Sequence, residues 1–600
     1  MSQQTSPTPA ALRSVNATTL GEMVLAATER HHGPAITFTR AGARQSWSYD
    51  AFGAAVREIA RGLIALGIEP GDRVAVIGNT RPEWTLADCA ILAAGATVVP
   101  IYHTNAPQEC RYVLENSGAR AVIAEDAAQV AKIRSIEGEC PKLEHLISME
   151  KALDGVSSLD DLRTRALEVD PEVLRERLLA TDPDDVATIV YTSGTTGPPK
   201  GCMLTHANIV ATIGMYERPL ELSGDVIIFM FLPLAHVLAR VTQMVALDVG
   251  GTLAFWSGNP ARLLDDIVDA APTHIPTVPR IFEKIHTKAL ATAQDAGGVR
   301  ARIFDWAVAT GRRARAAERA GGSGRLLAAQ HALADRVVLS KVRALFGHRL
   351  QMALSGAAPI SHDVLEFFDA CGIVVFEGYG LTETCAAATV NTPRDWRLGS
   401  VGRALSGTEV RIAADGEVLL RGPSVFKGYH GDRGATREIF DGDWLLTGDL
   451  GSVDADGFLR ITGRKKDLII TSSGKNVTPA NIESALRESR WISQAVVHGD
   501  NRPYLVALLT LDPEEAPALA DHLGIDGGPQ ALATDERVRA ALRAEVDVVN
   551  QQFARIEQIK SFLVLDHDLT QAAGELTPTL KVKRNVVEEH YGAQLEALYG

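Results

Sequence analysis

Short apolar and β-branched runs alternate with longer stretches of helical periodicity in the first two-thirds of the chain. Residues 74–77, 97–102, 121–124 and 187–191 have the length and composition of buried strands. Residues 49–66 place apolar side chains along one helical face and end beside Gly67. Because such alternation is typical of mostly parallel sheets covered by helices, the pattern predicts an α/β fold.

From about residue 400 the pattern changes to short strands separated by glycine-containing turns. Residues 410–412, 417–420 and 458–461 are predicted to be short strands, and Asp-Gly pairs beside them favour antiparallel hairpins. A polar run, GRKKD, follows at 463–467, and α/β alternation then resumes. We predict a disordered N-terminus at 1–18, a large domain of mostly parallel sheets at 19–463 with a β-rich subdomain at 400–463, a hinge at 464–467, and a small, mobile α+β domain at 468–600.

Length and charge narrow the classes of protein that fit this pattern. The chain has 600 residues and 46% hydrophobic content. A chain of this length is too long to fold around a single hydrophobic core, so at least two domains are expected. Its 74 acidic and 60 basic residues give a net charge of −14. This balance argues against a nucleic-acid partner, although a local basic patch could still hold phosphates.

The cysteines and the most apolar segments indicate a soluble, cytoplasmic protein. No C-x-x-C pair occurs, so reduced thiols are expected rather than disulfides or a zinc site. The N-terminus lacks the basic and apolar regions of a secretory signal. The most apolar stretch, 89–102, is too short to span a bilayer and predicts a buried helix followed by a strand. Any contact with a membrane is therefore expected to be peripheral.

The strand predicted at 187–191 continues into a loop of small and hydroxylated residues, YTSGTTGPPKG at 191–201. Backbone N–H groups, hydroxyls and a lysine are what a polyphosphate requires, and glycine leaves the backbone accessible. The spacing does not fit a Walker A loop, and Pro198 and Pro199 prevent the helix that such a loop begins. A solvated turn is the plain alternative, but the convergence of these residue types at a strand end favours phosphate binding.

This loop resembles the signature loop of the adenylate-forming superfamily, which includes acyl-CoA synthetases, peptide-synthetase adenylation domains and beetle luciferases. Further motifs resemble those of the superfamily in the same order: FLPLAH at 231–236, LSGAAP at 354–359, GYGLTE at 378–383, TGD at 447–449, GRKKD at 463–467, and a lysine at 581. Details at 397–402, 473–477 and 574–584 are most similar to bacterial long-chain fatty acid–CoA ligases. The resemblance extends from about Val24 to Val587.

The resemblance implies a set of site residues. The implied catalytic residues are Lys581, Glu383, Thr382 and His236, with Glu383 as the metal ligand. The implied ATP- and AMP-binding residues are Thr192, Ser193, Gly194, Thr195, Thr196, Gly197, Lys200, Gly356, Ala357, Ala358, Glu377, Gly378, Tyr379, Gly380, Thr382, Asp449 and Arg464. Lys466 corresponds to the hinge, and Gly474 and Lys475 to a coenzyme A contact. The implied ligands are ATP, Mg²⁺, coenzyme A and a fatty acid.

The implied reaction joins a carboxylate to the α-phosphate of ATP and then transfers the acyl group to a thiol. Two anions must be held together, so positioning and electrostatics carry most of the catalysis. The loop 192–200 would hold the β- and γ-phosphates, Tyr379 would stack on adenine, and Asp449 would accept both ribose hydroxyls. Lys581 would bridge the carboxylate and the α-phosphate. Each residue taken alone has a plain structural alternative, and only the joint pattern favours the functional reading.

Several functions share this scaffold, and fold alone does not select among them. A long-chain fatty acid–CoA ligase is the first hypothesis. An acyl-adenylate ligase that loads a carrier protein is the nearest alternative. A peptide-synthetase adenylation domain, a light-emitting oxygenase and a non-catalytic scaffold with a decayed site are further alternatives. Chain-length preference and oligomeric state stay open at this level.

Overall fold

A computed structural model describes residues 17–151, 153–192, 198–295, 297–322, 324–577 and 580–600. The predicted disorder at the N-terminus falls largely on residues 1–16, outside the described part. Ala17 is already buried, and the Thr18 backbone N–H donates to Glu22 Oε2 (2.8 Å). Five residues of the glycine-rich loop, Ser193 to Gly197, also lie outside the described part.

One large sheet carries the strands that the sequence predicted in the first 200 residues. Its order is β19-β9-β8-β4-β3-β5-β6-β7, with β3, β4, β5, β6 and β7 parallel to their neighbours and β9 antiparallel to β8. The strands are β3 (Arg73–Gly78), β4 (Thr97–Tyr102), β5 (Ala121–Ala124), β6 (His145–Ser148), β7 (Ser157–Ser158), β8 (Val186–Thr192), β9 (Lys200–Thr205) and β19 (Gly428–Tyr429). The predicted parallel strands are confirmed.

A second large sheet places the later motifs at its strand ends. Its order is β16-β15-β14-β13-β12-β10-β11-β1-β2, with parallel pairing from β14 through β1 and antiparallel strands at both edges. The strands are β1 (Pro34–Arg40), β2 (Ala43–Ser48), β10 (Ile227–Met230), β11 (Thr252–Phe255), β12 (His274–Thr277), β13 (Met352–Ser355), β14 (Val375–Leu381), β15 (Ala386–Val390) and β16 (Arg403–Ala404).

Apart from β19, the chain from residue 409 onward forms smaller sheets. Antiparallel β17 (Glu409–Ile412), β18 (Glu417–Arg421), β20 (Phe440–Asp441), β21 (Trp444–Val453) and β22 (Leu459–Arg464) make the predicted β-rich unit. A short hairpin follows, β23 (Ile469–Ile470) with β24 (Asn476–Val477). The last sheet contains β25 (Ile492–His498), β26 (Leu505–Leu511) and β27 (Ile559–Leu565). The domain limits given above stay a prediction.

Helices cover the sheets, as the alternating pattern predicts. Their bounds are α1 (Leu20–Arg30), α2 (Tyr49–Ala65), α3 (Pro82–Ala93), α4 (Pro107–Ser117), α5 (Ala127–Arg134), α6 (Leu159–Arg165), α7 (Pro171–Ala180), α8 (His206–Glu217), α9 (Val237–Val249), α10 (Leu263–Ala270), α11 (Pro279–Asp295), α12 (Gly298–Arg319), α13 (Arg325–Ala334), α14 (Ser340–Ala344), α15 (His362–Ala370), α16 (Arg433–Glu438), α17 (Pro479–Leu486), α18 (Ala516–Leu523), α19 (Pro529–Thr534), α20 (Glu536–Asn550) and α21 (Arg584–Glu596). Among these described helices, none is both long and apolar enough to cross a bilayer.

Local sequence explains where these helices begin. Ser48 ends β2 and caps α2, because its hydroxyl oxygen accepts the Ala51 backbone N–H at 3.2 Å. The stretch 89–102, predicted as a buried helix and a strand, is the end of α3 followed by β4. Every residue of α3 is buried, since the helix packs between α1 and α2 against the first sheet.

A buried ion pair joins α3 to α9 within the main core. Arg240 Nη2 lies 2.5 Å from Asp88 Oδ1, and neither side chain has more than 5% exposure. Gln243 Nε2 also donates to Asp88 (2.5 Å), and Arg240 Nη1 donates to Thr188 Oγ1 (2.6 Å). A buried charge is tolerated only when it is paired in this way, so the network fixes α9 against α3 and β8.

Removing one partner of this pair tests its energetic role. Arg240→Met leaves the Asp88 carboxylate buried without a counter-charge, so we expect a loss of about 3–5 kcal/mol in the free energy of unfolding. The double variant Arg240→Met/Asp88→Leu removes both charges and should be less destabilised than the single variant. Urea denaturation measures both. A single variant as stable as the wild type would contradict the assignment.

Candidate functional site

The carboxylate of Asp449 is a buried, hydrogen-bonded anion among the predicted site residues. It lies in β21, is 3% exposed, and accepts two hydrogen bonds. The Tyr379 hydroxyl donates to Oδ2 (2.8 Å), and Arg464 Nε donates to Oδ1 (2.7 Å). A carboxylate offers about four acceptor positions, so acceptor capacity remains for a ligand. The three residues come from β14, β21 and β22 and form one cluster.

Tyr379 is buried, and its ring belongs to a small apolar cluster with Val418, Leu420 and Leu459. The structural alternative for this residue, ordinary core, therefore describes much of its environment. Its hydroxyl is nevertheless aimed at Asp449, and burial together with that carboxylate raises the pKa of Tyr379 well above its usual value. Tyr379 thus stays a neutral hydrogen-bond donor.

Several of the predicted ATP- and AMP-binding residues lie together at the ends of β13 and β14. Gly356, Ala357 and Ala358 follow β13, and Ala357 has a positive φ of 71°. A Cβ on Gly356 would lie 3.5 Å from the Gly378 carbonyl oxygen, so the two backbones run close together. Gly380 permits no side chain at all, because a Cβ would lie 1.8 Å from the Ala386 carbonyl oxygen.

Glu377, also in β14, is a half-buried carboxyl with an altered pKa. Burial raises its pKa to about 8, although the Gly399 backbone and the charge of Arg460 act in the opposite direction. The group is therefore close to half protonated in mildly alkaline solution. This behaviour was not predicted from the sequence.

Glu383 follows β14 in the short turn Thr382–Thr384 and is held by a residue that the sequence reasoning missed. The Tyr429 hydroxyl donates to Glu383 Oε1 (2.7 Å), and Lys200 Nζ lies 5.1 Å from the centre of the Tyr429 ring. Tyr429 lies in β19, which pairs with β9 just after the glycine-rich loop. It therefore links Glu383 to the one lysine of that loop.

The donor set around Glu383 fits a magnesium ion that is shared with phosphates. Its carboxylate is half-buried and forms no ion pair with any described Lys or Arg. Mg²⁺ is commonly held by one or two carboxylates plus substrate phosphate oxygens, and a lone carboxylate is what Glu383 provides. Across the described residues, the His/Asp/Glu group with metal-like spacing is His362, Asp363 and Glu366, which is mostly exposed and lies elsewhere on α15.

His236 caps α9 and lies close to the same cleft. Its Nδ1 accepts the Leu238 backbone N–H at 3.3 Å. Removal from water and the nearby charge of Lys581 lower the pKa of His236 to about 4. The imidazole is therefore neutral at physiological pH.

Lys581 reaches the cleft from the C-terminal part of the chain. Its ammonium interacts electrostatically with Arg464, Asp449 and Glu383. The Lys581 backbone N–H donates to Thr577 Oγ1 (3.0 Å), and its carbonyl accepts the Thr577 N–H (2.7 Å). Surrounding protein and the Arg464 cation lower the pKa of Lys581 to about 8, although the residue is exposed to solvent. Two cations thus face two carboxylates here.

Ion pairs hold the C-terminal part of the chain against α11. Lys284 Nζ lies 2.8 Å from Glu514 Oε1, and Arg490 Nη1 lies 3.2 Å from Asp295 Oδ1. Arg280 Nη2 lies 3.4 Å from Asp512 Oδ2. These contacts accompany the placement of Lys581 in the cleft. The sequence could not indicate them, because charged residues on a helix surface usually face solvent.

The predicted hinge and coenzyme A residues lie apart from this cluster. Lys466 is exposed in the turn Lys465–Asp467 between β22 and β23, beside Lys465, which pairs with Asp415 and Glu417. Gly474 has a φ of 74° in the exposed turn between β23 and β24, next to Lys475. Within the described residues, no hydrogen bond joins this turn to Asp449 or Glu383. Their predicted roles stay predictions.

Sequence profiles of known families match nearly the whole chain. The profile for the AMP-binding enzyme matches residues 25–430, and the profile for the AMP-binding enzyme C-terminal domain matches residues 466–600. The chain belongs to the AMP-binding enzyme family. The resemblance to adenylate-forming enzymes is thereby confirmed.

Relatives within the family cover most of the chain. The long-chain-fatty-acid–CoA ligase FadD15 of Mycobacterium tuberculosis is 42% identical over 557 residues, covering 91% of this chain and 90% of its own. The long-chain-fatty-acid–CoA ligase 6 of Rattus norvegicus is 31% identical, covering 95% and 84%. Each of these two ligases therefore aligns with this chain over most of its own length and most of the length of this chain.

Solved structures share the fold. The adenylation domain of the carboxylate reductase from Mycobacterium chelonae superimposes with a TM-score of 0.80 at 22% identity, covering 98% of this chain and 92% of that one. ATP-bound MatB from Rhodopseudomonas palustris gives a TM-score of 0.70 at 25% identity, covering 97% and 100%. The first likeness concerns the fold alone, and the α/β architecture of an AMP-binding enzyme is confirmed.

Charge reversal at the α11 contact tests whether the C-terminal part stays docked in solution. Lys284→Glu places two carboxylates opposite each other, whereas the swap Lys284→Glu/Glu514→Lys restores attraction. Because an exposed pair contributes about 0.2–1 kcal/mol, we expect the reversal to speed tryptic cleavage at Lys465 and Lys466 roughly threefold, and the swap to restore the wild-type rate. Mass spectrometry of the fragments measures this. Equal rates in the single and swapped variants would exclude a role for this contact.

Proposed function

We propose that the protein is a long-chain fatty acid–CoA ligase. It would convert ATP and a fatty acid into acyl-AMP and pyrophosphate, and then transfer the acyl group to coenzyme A with release of AMP. The observation that carries the proposal is the convergence of Lys581, Asp449 and Glu383 in one cleft. The names of the two aligned ligases support the choice of a long-chain acid and of coenzyme A as acceptor.

ATP would lie along the ends of β13 and β14. Asp449 would accept from the ribose hydroxyls with the acceptor positions that Tyr379 and Arg464 leave free. Thr382 would donate to the α-phosphate. The loop 192–200, of which Thr192 and Lys200 are described, would bind the β- and γ-phosphates through backbone N–H groups and the lysine.

Glu383 would hold Mg²⁺, which neutralises phosphate charge when it is bound. The hydrogen bond from the Tyr429 hydroxyl to Oε1 fixes the orientation of the Glu383 carboxylate, and Oε2 stays available for the metal ion. Lys581 would lie between the fatty acid carboxylate and the α-phosphate and reduce their repulsion as the new bond forms. A neutral His236 would line the acyl pocket without adding a second positive charge.

The thiol step requires Lys581 to leave the cleft. The exposed turn at Lys466 would absorb the backbone change of a rotating C-terminal domain, and Gly474 and Lys475 would then contact coenzyme A. The docking contacts on α11 are compatible with such a step, since they include ion pairs and the Lys284–Glu514 pair is solvent-exposed. We further propose a cytoplasmic location with peripheral contact to membranes, where long-chain acids partition.

Product analysis tests the proposed reaction. The purified protein is incubated with ATP, Mg²⁺, coenzyme A and an equimolar panel of fatty acids from acetate to behenate, and products are identified by mass spectrometry. We expect acyl-CoA and AMP, concentrated in the long-chain products. The Lys581→Ala variant is the matched control and should lose at least 100-fold, roughly the contribution of one preorganised electrostatic group.

Other products would replace the proposal. Acyl-adenylate without acyl-CoA would make a carrier protein the acceptor. Short-chain acyl-CoA alone would contradict the long-chain assignment. Absence of both adenylate and acyl-CoA, with equal results for wild type and Lys581→Ala, would favour a non-catalytic scaffold.

The pH dependence of adenylate formation tests Lys581 separately. Lys581 must be a cation to bridge two anions, and its pKa in the free enzyme is lowered to about 8. The cationic fraction is complete below that value and falls as pH rises through it. We therefore expect kcat/KM for ATP, measured by ATP–pyrophosphate exchange without coenzyme A, to decline about tenfold per pH unit above about pH 8.

Lys581→Arg separates this effect from the titration of Glu377, whose pKa also lies at about 8. The arginine stays charged across the range, since its pKa exceeds about 12, while Glu377 is unchanged. The variant should be slower but should lack the decline that Lys581 causes. Identical profiles for the two proteins would assign the decline to Glu377 instead.

A further inference from the structure

The segment from α12 to the end of α14 and the loop after it has a charge opposite to that of the whole chain. Residues 298–349 contain eleven Arg and Lys residues and three Asp and Glu residues, a net charge of +8 in a chain of net charge −14. Helices α12 and α13 pack against each other as a hairpin on the outside of the second sheet, with α12 against α15. The positive charge is therefore concentrated on one helical segment.

Most of these cations have no counter-charge. Arg312, Arg315, Arg319 and Arg343 form ion pairs with nearby carboxylates. The other seven are exposed and form no ion pair with any residue that the structure describes; they are Arg300, Arg302, Arg313, Arg325, Arg336, Lys341 and Arg349. An array of unpaired, exposed cations creates a local positive potential that attracts anionic surfaces.

The same element exposes large apolar side chains between the cations. On α13, Arg325, Leu326, Ala329 and Leu333 follow one another at helical spacing and share the outward face. Leu326 is 75% exposed and Leu333 is 55% exposed. Near the start of α12, Val299 and Ile303 are also exposed, one turn apart and beside Arg300 and Arg302.

We propose that the outward face of the α12–α13 hairpin docks on the surface of an anionic phospholipid membrane. Exposed arginines beside exposed leucines are typical of helices that lie in a lipid interface. Nucleic acid fits less well, because exposed aliphatic leucines add nothing to phosphate binding. The proposal rests on the proposed function, since a ligase of long-chain acids meets its substrate at such a surface.

The side chains of this surface predict weak, reversible binding to the membrane. Each Lys or Arg near an anionic surface contributes about 1 kcal/mol, roughly a fivefold factor in partition, and that contribution is screened within a Debye length of salt. The apolar contribution comes from a few side chains rather than a continuous face. Binding should therefore require anionic lipid and decrease at high ionic strength.

Vesicle co-sedimentation of the full chain tests the proposal. Vesicles are made of phosphatidylcholine alone or mixed with phosphatidylglycerol. We expect binding only to the mixed vesicles. Arg302→Gln/Arg325→Gln should lower the partition coefficient about tenfold or more, and Leu326→Ser/Leu333→Ser should lower it several-fold at unchanged charge.

Matched controls exist elsewhere on the surface. Leu167 and Leu179 are 86% and 76% exposed, and Arg433 and Arg437 are exposed without ion pairs in the described part of the chain. Leu167→Ser/Leu179→Ser and Arg433→Gln/Arg437→Gln should bind mixed vesicles as the wild type does. Equal losses in test and control pairs, or binding that ignores phosphatidylglycerol, would overturn the proposal.

Two further readouts separate this proposal from its neighbours. If the protein binds single-stranded RNA but not vesicles, and the arginine substitutions abolish RNA binding while the leucine substitutions do not, the partner of this surface is nucleic acid rather than lipid. Acyl-CoA formation from a monomeric medium-chain acid should be unchanged in the hairpin variants. Loss of that activity in the wild type would contradict the proposed function, whereas intact activity with no vesicle binding would contradict only the docking surface.

Discussion

The fixed carboxylate of Asp449 is the constraint on which the arrangement of the site depends. A buried carboxylate must be paired, and here both partners come from other strands: Tyr379 from β14 and Arg464 from β22. The contact therefore ties the β-rich sheet to the second large sheet at the strand ends where the motifs lie. Arg464 is also the last residue before the exposed turn Lys465–Asp467, so the cleft and the turn share one anchor.

Charge explains why Lys581 is the least settled member of the cluster. Removal from water and repulsion by Arg464 lower the pKa of the Lys581 ammonium to about 8. A triphosphate and a fatty acid carboxylate would add several negative charges and reverse this balance. Substrate would then favour the state in which Lys581 is charged and inside, and loss of pyrophosphate would weaken that preference. Ligands shift an equilibrium only through such differences in interaction.

Sequence alone predicted the strands of the first sheet closely, because each is a short apolar run with a clear boundary, and 97–102 coincides with β4. It also predicted the residues of the cluster through ordered motifs. It missed Tyr429, which lies 46 positions from Glu383 and has no signal of its own. It missed the Asp88–Arg240 pair for the same reason, because the two residues are 152 positions apart and no local sequence pattern connects them. Shifted pKa values depend on burial, which requires the fold.

The C-terminal part of the chain is stabilised by two apolar clusters of its own and contacts α11 through ion pairs. One cluster contains Leu505, Leu542 and Phe562, and the other contains Val587 and Leu595. Among the described residues, both clusters consist only of residues from position 469 onward. The contacts described above between this part and α11 are ion pairs, and the exposed pair Lys284–Glu514 contributes little and is screened by salt. Each part therefore keeps its own core when the contact breaks. The proposed mechanism requires this division, because an apolar interface strong enough to stabilise the fold would also hold Lys581 in place after the proposed adenylation step.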